Sequence, residues 1–303
     1  MNKIKLMLLL MLLTTAAAAQ KSRKKLPVHF DAEKWVEYVE GDMPLVISVP
    51  HGGRVTVDSL PIRDCKGAIT GVDGRTIELA RDIQHYFKKT YNLVPHIIIS
   101  HIARKHVDQN RELDNKATCG YEKNEKPWHT FHNWVDSALN LASSNGKRAM
   151  YIDLHGHGHK NQRLEIGYNL GKSELEKILD ETYKHGSKYH SITNLLKQER
   201  GLNLKEAIFG EKAFGTFLVN NGVPATPSSQ DLVPTKEELF FSGGDNTRRF
   251  TSEKYPNVFG LQIECDSSAR SEAKRSNTAK GIAEAIVQYL NIYANTQIEA
   301  AKK

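Results

Sequence analysis

Two histidines and one glutamate stand where an apolar strand would not by itself place them. His51 follows the run Leu45-Val46-Ile47-Ser48-Val49 and lies in Pro50-His51-Gly52-Gly53. His155 follows Ala149 to Leu154 and precedes Gly156, and Glu264 closes the apolar run Phe259-Gly260-Leu261-Gln262-Ile263. A carboxylate inside such a run is costly unless it is paired or functional. Two imidazoles and one carboxylate, with a position left for water, make a hydrolytic zinc site, because imidazole suits zinc and the open position acidifies water. A second carboxylate outside the metal shell can then take the water's proton. A lone histidine after a strand is more often structural, and the chain has 13 histidines to supply coincidences. Two of them beside glycine at strand ends rise above that background. His157 and His159 are further ligand candidates, but only His155 lies immediately at a strand end.

These residues need elements to carry them. The β-branched run ending at Val49 reads as a buried strand running into a turn, and Val94 to Ser100, Ala149 to Leu154 and Val258 to Glu264 read as further strands. Helical spacing covers Asp73 to Tyr86 with Asp73 as a good N-cap, Trp134 to Leu141, Glu206 to Asn220 closed by Asn221-Gly222, and Thr278 to Tyr293. A Pro- and Ser-containing loop runs from Pro224 to Pro234. Strand–helix alternation predicts an α/β fold with a mainly parallel sheet covered by helices. Ligands in such sheets collect beyond the carboxyl ends of the strands, so groups far apart in sequence can converge there.

The beginning of the chain reads as an export signal. Lys3 and Lys5 precede an apolar run from Leu6 to Leu13, and Ala16 to Ala19 supply small residues before Gln20. The run is short for a bilayer span. We therefore expect a cleaved signal peptide over residues 1–19, a periplasmic or secreted protein without stable membrane insertion, and a single catalytic domain over 20–303. Apolar content of 39% and charged content of 25% are ordinary for a globular protein, with disorder expected only at the basic linker Lys21 to Lys25 and after Asn295. The net charge of +7 includes two lysines of the signal, and it fits either an acidic substrate or a solvated surface. No basic stripe interleaved with aromatics points to nucleic acid. Cys65, Cys119 and Cys265 permit one disulfide in an exported chain, but their number leaves one free and sequence does not choose the pair.

Several short motifs together resemble one family. Pro50-His51-Gly52-Gly53 is similar to the PHxG signature of N-formylglutamate amidohydrolases, and Asp108-Gln109-Asn110-Arg111 to their DxNR motif. Asp153-Leu154-His155 resembles their DxH motif. Ser242-Gly243-Gly244 with Asn246-Thr247-Arg248-Arg249 resembles their GGYxxRR region, and Gln262-Ile263-Glu264 their QIE strand. Phe214-Gly215 through Val223-Pro224-Ala225-Thr226-Pro227-Ser228 fits a further family segment, and the matches run in the family's order across Ser48 to Arg270. The resemblance implies a zinc carboxypeptidase-like fold, an αβα sandwich around a mixed, mostly parallel eight-stranded sheet.

By that likeness His51 and His155 are ligands of one Zn2+ per chain and Glu264 is the general base. Asn110 and Arg111 hold a substrate carboxylate, which a guanidinium fork can grip in pairs. The chain departs from carboxypeptidases at the third ligand, because Arg54 stands where they place a glutamate. Asp73 at the start of the following helix takes that role or merely caps its helix, with Asp58, Asp64 and Glu78 as alternatives. Arg248, Arg249 and Arg270 are candidates for a second substrate anion or an oxyanion, or are solvated. Gly243-Gly244 lets a loop approach a ligand or simply turns, and Asp245 replaces a tyrosine frequent in the family. Asp108 and Asp153 orient the ligand histidines or cap strand ends. The expected activity is zinc-dependent hydrolysis of a C–N amide bond in an N-formylglutamate-like N-acyl amino acid. A carboxypeptidase-type enzyme acting on peptides or cell-wall amides, and a non-catalytic binding protein, are the alternatives.

Overall fold

The computed structural model describes residues 26–184 and 189–301. The expected signal peptide and the linker Lys21 to Lys25 lie outside the described residues. Among the described residues, eight strands form one sheet: β1 Val28–Phe30, β2 Val36–Val39, β3 Leu45–Val49, β4 His96–Ser100, β5 Ala149–Gly156, β6 Leu164–Gly167, β7 Ala225–Thr226 and β8 Val258–Cys265. Their order is β1-β2-β4-β3-β5-β8-β6-β7. The central pairings β4–β3, β3–β5 and β5–β8 are parallel, as is β6–β7 at one edge. β1–β2, β2–β4 and β6–β8 are antiparallel. The sheet is thus mixed and mostly parallel, as the resemblance implied.

Alternation along each strand assigns the two faces. Leu45, Ile47 and Val49 of β3, with Ile97, Ile99, Met150, Ile152 and Leu154, enter the larger apolar cluster. Helices α1 (Thr76–Tyr91) and α8 (Arg275–Tyr293) close that face through Leu79, Ile83, Phe87, Ile282 and Ile286. Each of these side chains contributes about 1.5–3 kcal/mol by leaving water. The intervening residues Val46, Ile98 and Tyr151 face the other way. There they pack against Phe131, Val135 and Leu139 of α2 (Glu125–Ala142) and Phe250 of α7 (Asp245–Phe250).

The smaller helices α3 (Lys172–Leu179), α4 (Thr193–Gln198), α5 (Leu204–Phe209) and α6 (Phe214–Asn220) lie between β6 and β7 in sequence. The helix expected over Glu206 to Asn220 is therefore two helices. Gly210 caps α5 with an extended backbone, and a side chain there would stand 2.6 Å from the Glu206 carbonyl oxygen. Cys65 and Cys119 form the disulfide, and Cys265 is free and buried.

Candidate metal centre

On β5 and β8 the face turned toward α2 and α7 changes character at its C-terminal end. Tyr151 is followed on that face by Asp153 and His155, and Gly260 by Gln262 and Glu264. The parallel register sets Asp153 beside Gln262 and His155 beside Glu264. All four are buried. The turn after β3 brings His51 to the same end, and the imidazole rings of His51 and His155 stand 4.8 Å apart, edge to face.

Asp73 completes the group. It does not cap α1: that helix begins at Thr76, and its N-cap is Arg75, which makes no side-chain cap bond. The physical reason lies in the turn. Arg75 is left-handed, with φ 67°, a conformation costing roughly 1–2 kcal/mol in a non-glycine residue. The Asp73 amide donates to the His51 carbonyl over 3.0 Å. The carboxylate is thereby aimed at the two imidazoles, with Oδ2 lying 3.1 Å from His155 Nδ1 and 3.5 Å from His51 Nδ1.

The far nitrogen of each ring is held by its own carboxylate. His51 Nε2 lies 2.7 Å from Asp108 Oδ1, and His155 Nε2 lies 2.8 Å from Asp153 Oδ2. A proton on each Nε2 fixes the tautomer that turns the Nδ1 lone pair toward Asp73, the arrangement that carboxylates impose on metal-binding histidines. His51 Nδ1 is buried and has no hydrogen-bond partner. A buried nitrogen without a partner is costly, and a cation between His51, Asp73 and His155 would satisfy it. Their ligand atoms lie within 4.8 Å of one another. The set of two imidazole nitrogens and one carboxylate oxygen fits zinc or a similar divalent ion.

Electrostatics agree with the geometry. Burial alone would raise the Asp73 carboxyl, but the His155 and His51 imidazoles outweigh it and hold the group well below the usual carboxylate range. Burial would lower His155, but the Asp153 and Asp73 carboxylates reverse this and hold the imidazole well above its ordinary value. Glu264 goes the other way. Burial pushes its carboxyl up to about 8, with His155 opposing and the Asp73, Glu165 and Asp153 carboxylates adding to the rise. Gln262 donates to its Oε1 over 2.9 Å. Glu264 is thus a buried carboxylate next to the candidate ligands but outside their set.

Three expected site residues have protein partners. Asn110 is buried with its amide nitrogen 3.2 Å from His155 Nε2, while its oxygen accepts from the Asn246 amide. With the Nε2 proton directed at Asp153, this amide positions the His155 ring by packing rather than by a hydrogen bond. Arg270 is buried, and its guanidinium donates to the carbonyls of Cys265, Gly74 and His157. It clamps the segments carrying Glu264, Asp73 and His155, and a side chain at Gly156 would stand 2.4 Å from its guanidinium carbon. Arg249 lies over the Trp128 ring at 4.9 Å. Asp58, Asp64 and Glu78 lie outside the ligand group, and Asp64 accepts from Tyr121 instead.

Arg111, Arg248 and Arg249 do share a cavity of about 800 Å³, which Trp128, His132 and Asn246 also line. None of the candidate ligands lines it, but Asn110 and Asn246 separate it from His155 and Asp153.

Two features had no counterpart in the sequence reading. Arg104 donates to Asp108 Oδ2 over 2.9 Å and lies 4.0 Å from Asp73 Oδ1, so it supports both carboxylates. Glu165 of β6 pairs with Glu264 across the antiparallel ladder and is buried, and His159 Nδ1 lies 2.7 Å from its Oε1. A carboxylate inside Leu164-Glu165-Ile166 is the same signal that singled out Glu264. His157, His159 and Glu165 form a second group spaced for a metal. However, His157 Nδ1 already accepts from the His159 amide, and its Nε2 lies 3.0 Å from the Arg163 carbonyl, so this imidazole offers no spare lone pair.

No protein-family model matches the chain, and no curated protein matches it significantly. Among solved structures, the crystal structure of an N-formylglutamate amidohydrolase from Ralstonia eutropha matches with a TM-score of 0.52. In fold, the chain is similar to that enzyme. The identity is 11%, over 86% of this chain and 98% of that one. A succinylglutamate desuccinylase from Chromobacterium violaceum matches with a TM-score of 0.43 and 12% identity, over 96% of this chain and 78% of that one. An N-acetylmuramyl-L-alanine amidase from Mycobacterium smegmatis gives 0.37 and 11%, over 82% and 96%.

Proposed function

We propose that the protein is an exported, zinc-dependent amidohydrolase acting on a C–N amide bond of a carboxylate-bearing substrate. The observation that carries this reading is the convergence of His51 Nδ1, His155 Nδ1 and Asp73 Oδ2, each ring braced from behind by a carboxylate. Bound there, zinc supplies a Lewis acid that polarises a carbonyl and lowers the pKa of water. The chain's own residues do the rest. Glu264 takes the proton of the attacking water and later delivers it to the departing amine. Its burial, which pushes the carboxyl up to about 8, suits a group that must hold a proton between these steps, and a neighbouring cation lowers that value toward neutrality. Arg111, on the cavity wall, anchors the substrate's carboxylate.

An N-formylglutamate-like N-acyl amino acid is the substrate class suggested by the fold neighbour and the sequence motifs together. The cavity of about 800 Å³ is roomier than such a molecule needs, and this favours a second reading, a carboxypeptidase-type enzyme acting on peptides or cell-wall amides. Export is supported by the signal-like N-terminus and by the Cys65–Cys119 disulfide, a bond that persists in oxidising compartments.

The test is metal analysis of the purified protein alongside a screen of N-acyl amino acids and short peptides. We expect about one zinc per chain, chelator-sensitive hydrolysis, and a Glu264→Gln variant that keeps the metal while losing at least about a hundredfold in turnover. A folded, metal-free protein would support a binding role, and wild-type turnover in Glu264→Gln would remove the base assignment.

A further inference from the structure

We propose that the cavity beside the metal centre receives a zwitterionic amino-acid group, an ammonium and a carboxylate on one carbon, at the end of the substrate remote from the scissile amide. This rests on the amidohydrolase reading for what is cleaved, though not for what is bound, and it moves the carboxylate-bearing substrate away from an N-formylglutamate-like molecule toward one that keeps a free ammonium.

The starting point is that Arg111 is not a free cation. Its Nη1 lies 3.9 Å from Asp245 Oδ2, and the other oxygen of Asp245 accepts from Arg248. Asp245 therefore stands between two guanidinium groups on the cavity wall, with 20% of its side chain exposed against 30% for Arg111. A substrate carrying only a carboxylate must approach Arg111 against this fixed negative charge, in a setting less polar than bulk water. A second carboxylate on the substrate makes the approach worse. An ammonium beside the carboxylate reverses the balance, since the carboxylate takes the Arg111 fork while the ammonium takes Asp245 Oδ2. Both charges of an amino acid sit on one carbon, so their separation is of the same order as the 3.9 Å between the two receiving groups.

The surroundings allow the exchange. Arg248 is half exposed and has Glu112 within 3.6 Å as a second partner, so releasing Asp245 does not strand a guanidinium. Arg111 is held from behind, because the Trp128 indole donates to its carbonyl over 2.9 Å. The Trp128 ring is itself buried between the Arg249 guanidinium and the His132 ring, which fixes this wall of the cavity. The substrate class is then an amide whose far end is an unblocked amino acid, such as an ω-N-acylated diamino acid or a peptide branch ending in one.

Binding of two probes to the full-length, zinc-loaded protein tests this by calorimetry. One is Nε-acetyl-lysine; the other is the same molecule lacking the α-amino group. We expect wild type to bind the zwitterion roughly fivefold tighter or more, Asp245→Asn to lose that preference, and Arg111→Gln to lose both ligands. Equal affinities in wild type, a preference that persists in Asp245→Asn, or no binding of either probe would overturn the proposal. Zwitterion binding without hydrolysis of any amide would count against the amidohydrolase reading and leave this one standing. Hydrolysis of N-formylglutamate with no preference between the probes would do the reverse.

Discussion

Asp108 lies behind the candidate ligand His51 rather than in the candidate set, and its effect can be isolated. It fixes the His51 tautomer through a 2.7 Å contact and is itself fixed by Arg104 at 2.9 Å and Arg63 at 3.6 Å. Asp108→Asn keeps the shape but replaces an anionic acceptor with a neutral amide. Zinc affinity, measured by competition with a coloured chelator, should fall about 10- to 100-fold. An unchanged affinity would mean that Asp108 serves the fold alone. The candidate ligands His51 and His155 stand out in the sequence because each imidazole stands at a strand end. The sequence could not choose between the two roles of Asp73, since a residue ahead of a helix looks the same whether its carboxylate turns toward the helix amides or away. Arg104 and Arg63 carried no signal at all. Their partners are set by tertiary contacts, and an arginine in a loop is unremarkable in one dimension.

Elements bring the groups together, and the joint between α7 and the Asn110 loop is the tightest place to probe. Gly244 precedes α7 and packs directly on Asn110, so a Cβ there would stand 2.3 Å from the Asn110 amide nitrogen. Gly244→Ala should displace Asn110 from His155, costing about 1–3 kcal/mol of stability and lowering turnover. Denaturant unfolding and a rate assay on the same preparation check this, and native stability with native turnover would show that the joint yields freely. At the Gly243-Gly244 pair, Gly243 takes a positive φ of 126° while Gly244 leaves room for the Asn110 side chain. The central strands were legible because they are buried on both faces and read as continuous apolar runs. β1, β2, β6 and β7 were not. They are short, of two to four residues, and too brief for a period to register. Gly210 gives no stop signal in the sequence, because a single glycine is tolerated within a helical pattern.

Across the whole molecule, buried ionisable groups set the response to pH. His96 is buried with Nδ1 accepting from the Gly41 amide at 3.1 Å, and burial pushes its imidazole down to about 4. Burial likewise pushes His132 down to about 4. Both folded values lie below the free value of about 6.5. Their contribution is therefore complete above that pH and is lost as the pH falls toward 4, by on the order of 2–3 kcal/mol each. Glu264 has the opposite sign in the metal-free protein. Raised to about 8, it favours the fold below its free value of about 4.5 and loses that contribution as the pH climbs toward 8. Chemical denaturation from pH 7 to pH 4 should show a falling stability that is shallower in His96→Gln. An equal slope in the variant would place the acid sensitivity elsewhere.

The position of β8 in the sheet bears on how the protein reaches its final form. β8 lies between β5 and β6, yet it emerges after both, and α8 follows it. Until residue 265 has left the ribosome, β5 has an unsatisfied inner edge and the apolar face beneath it is closed by α1 without α8. Open edges of this kind invite pairing with other chains. A nascent or truncated form ending before Val258 should therefore depend on a chaperone to stay in solution.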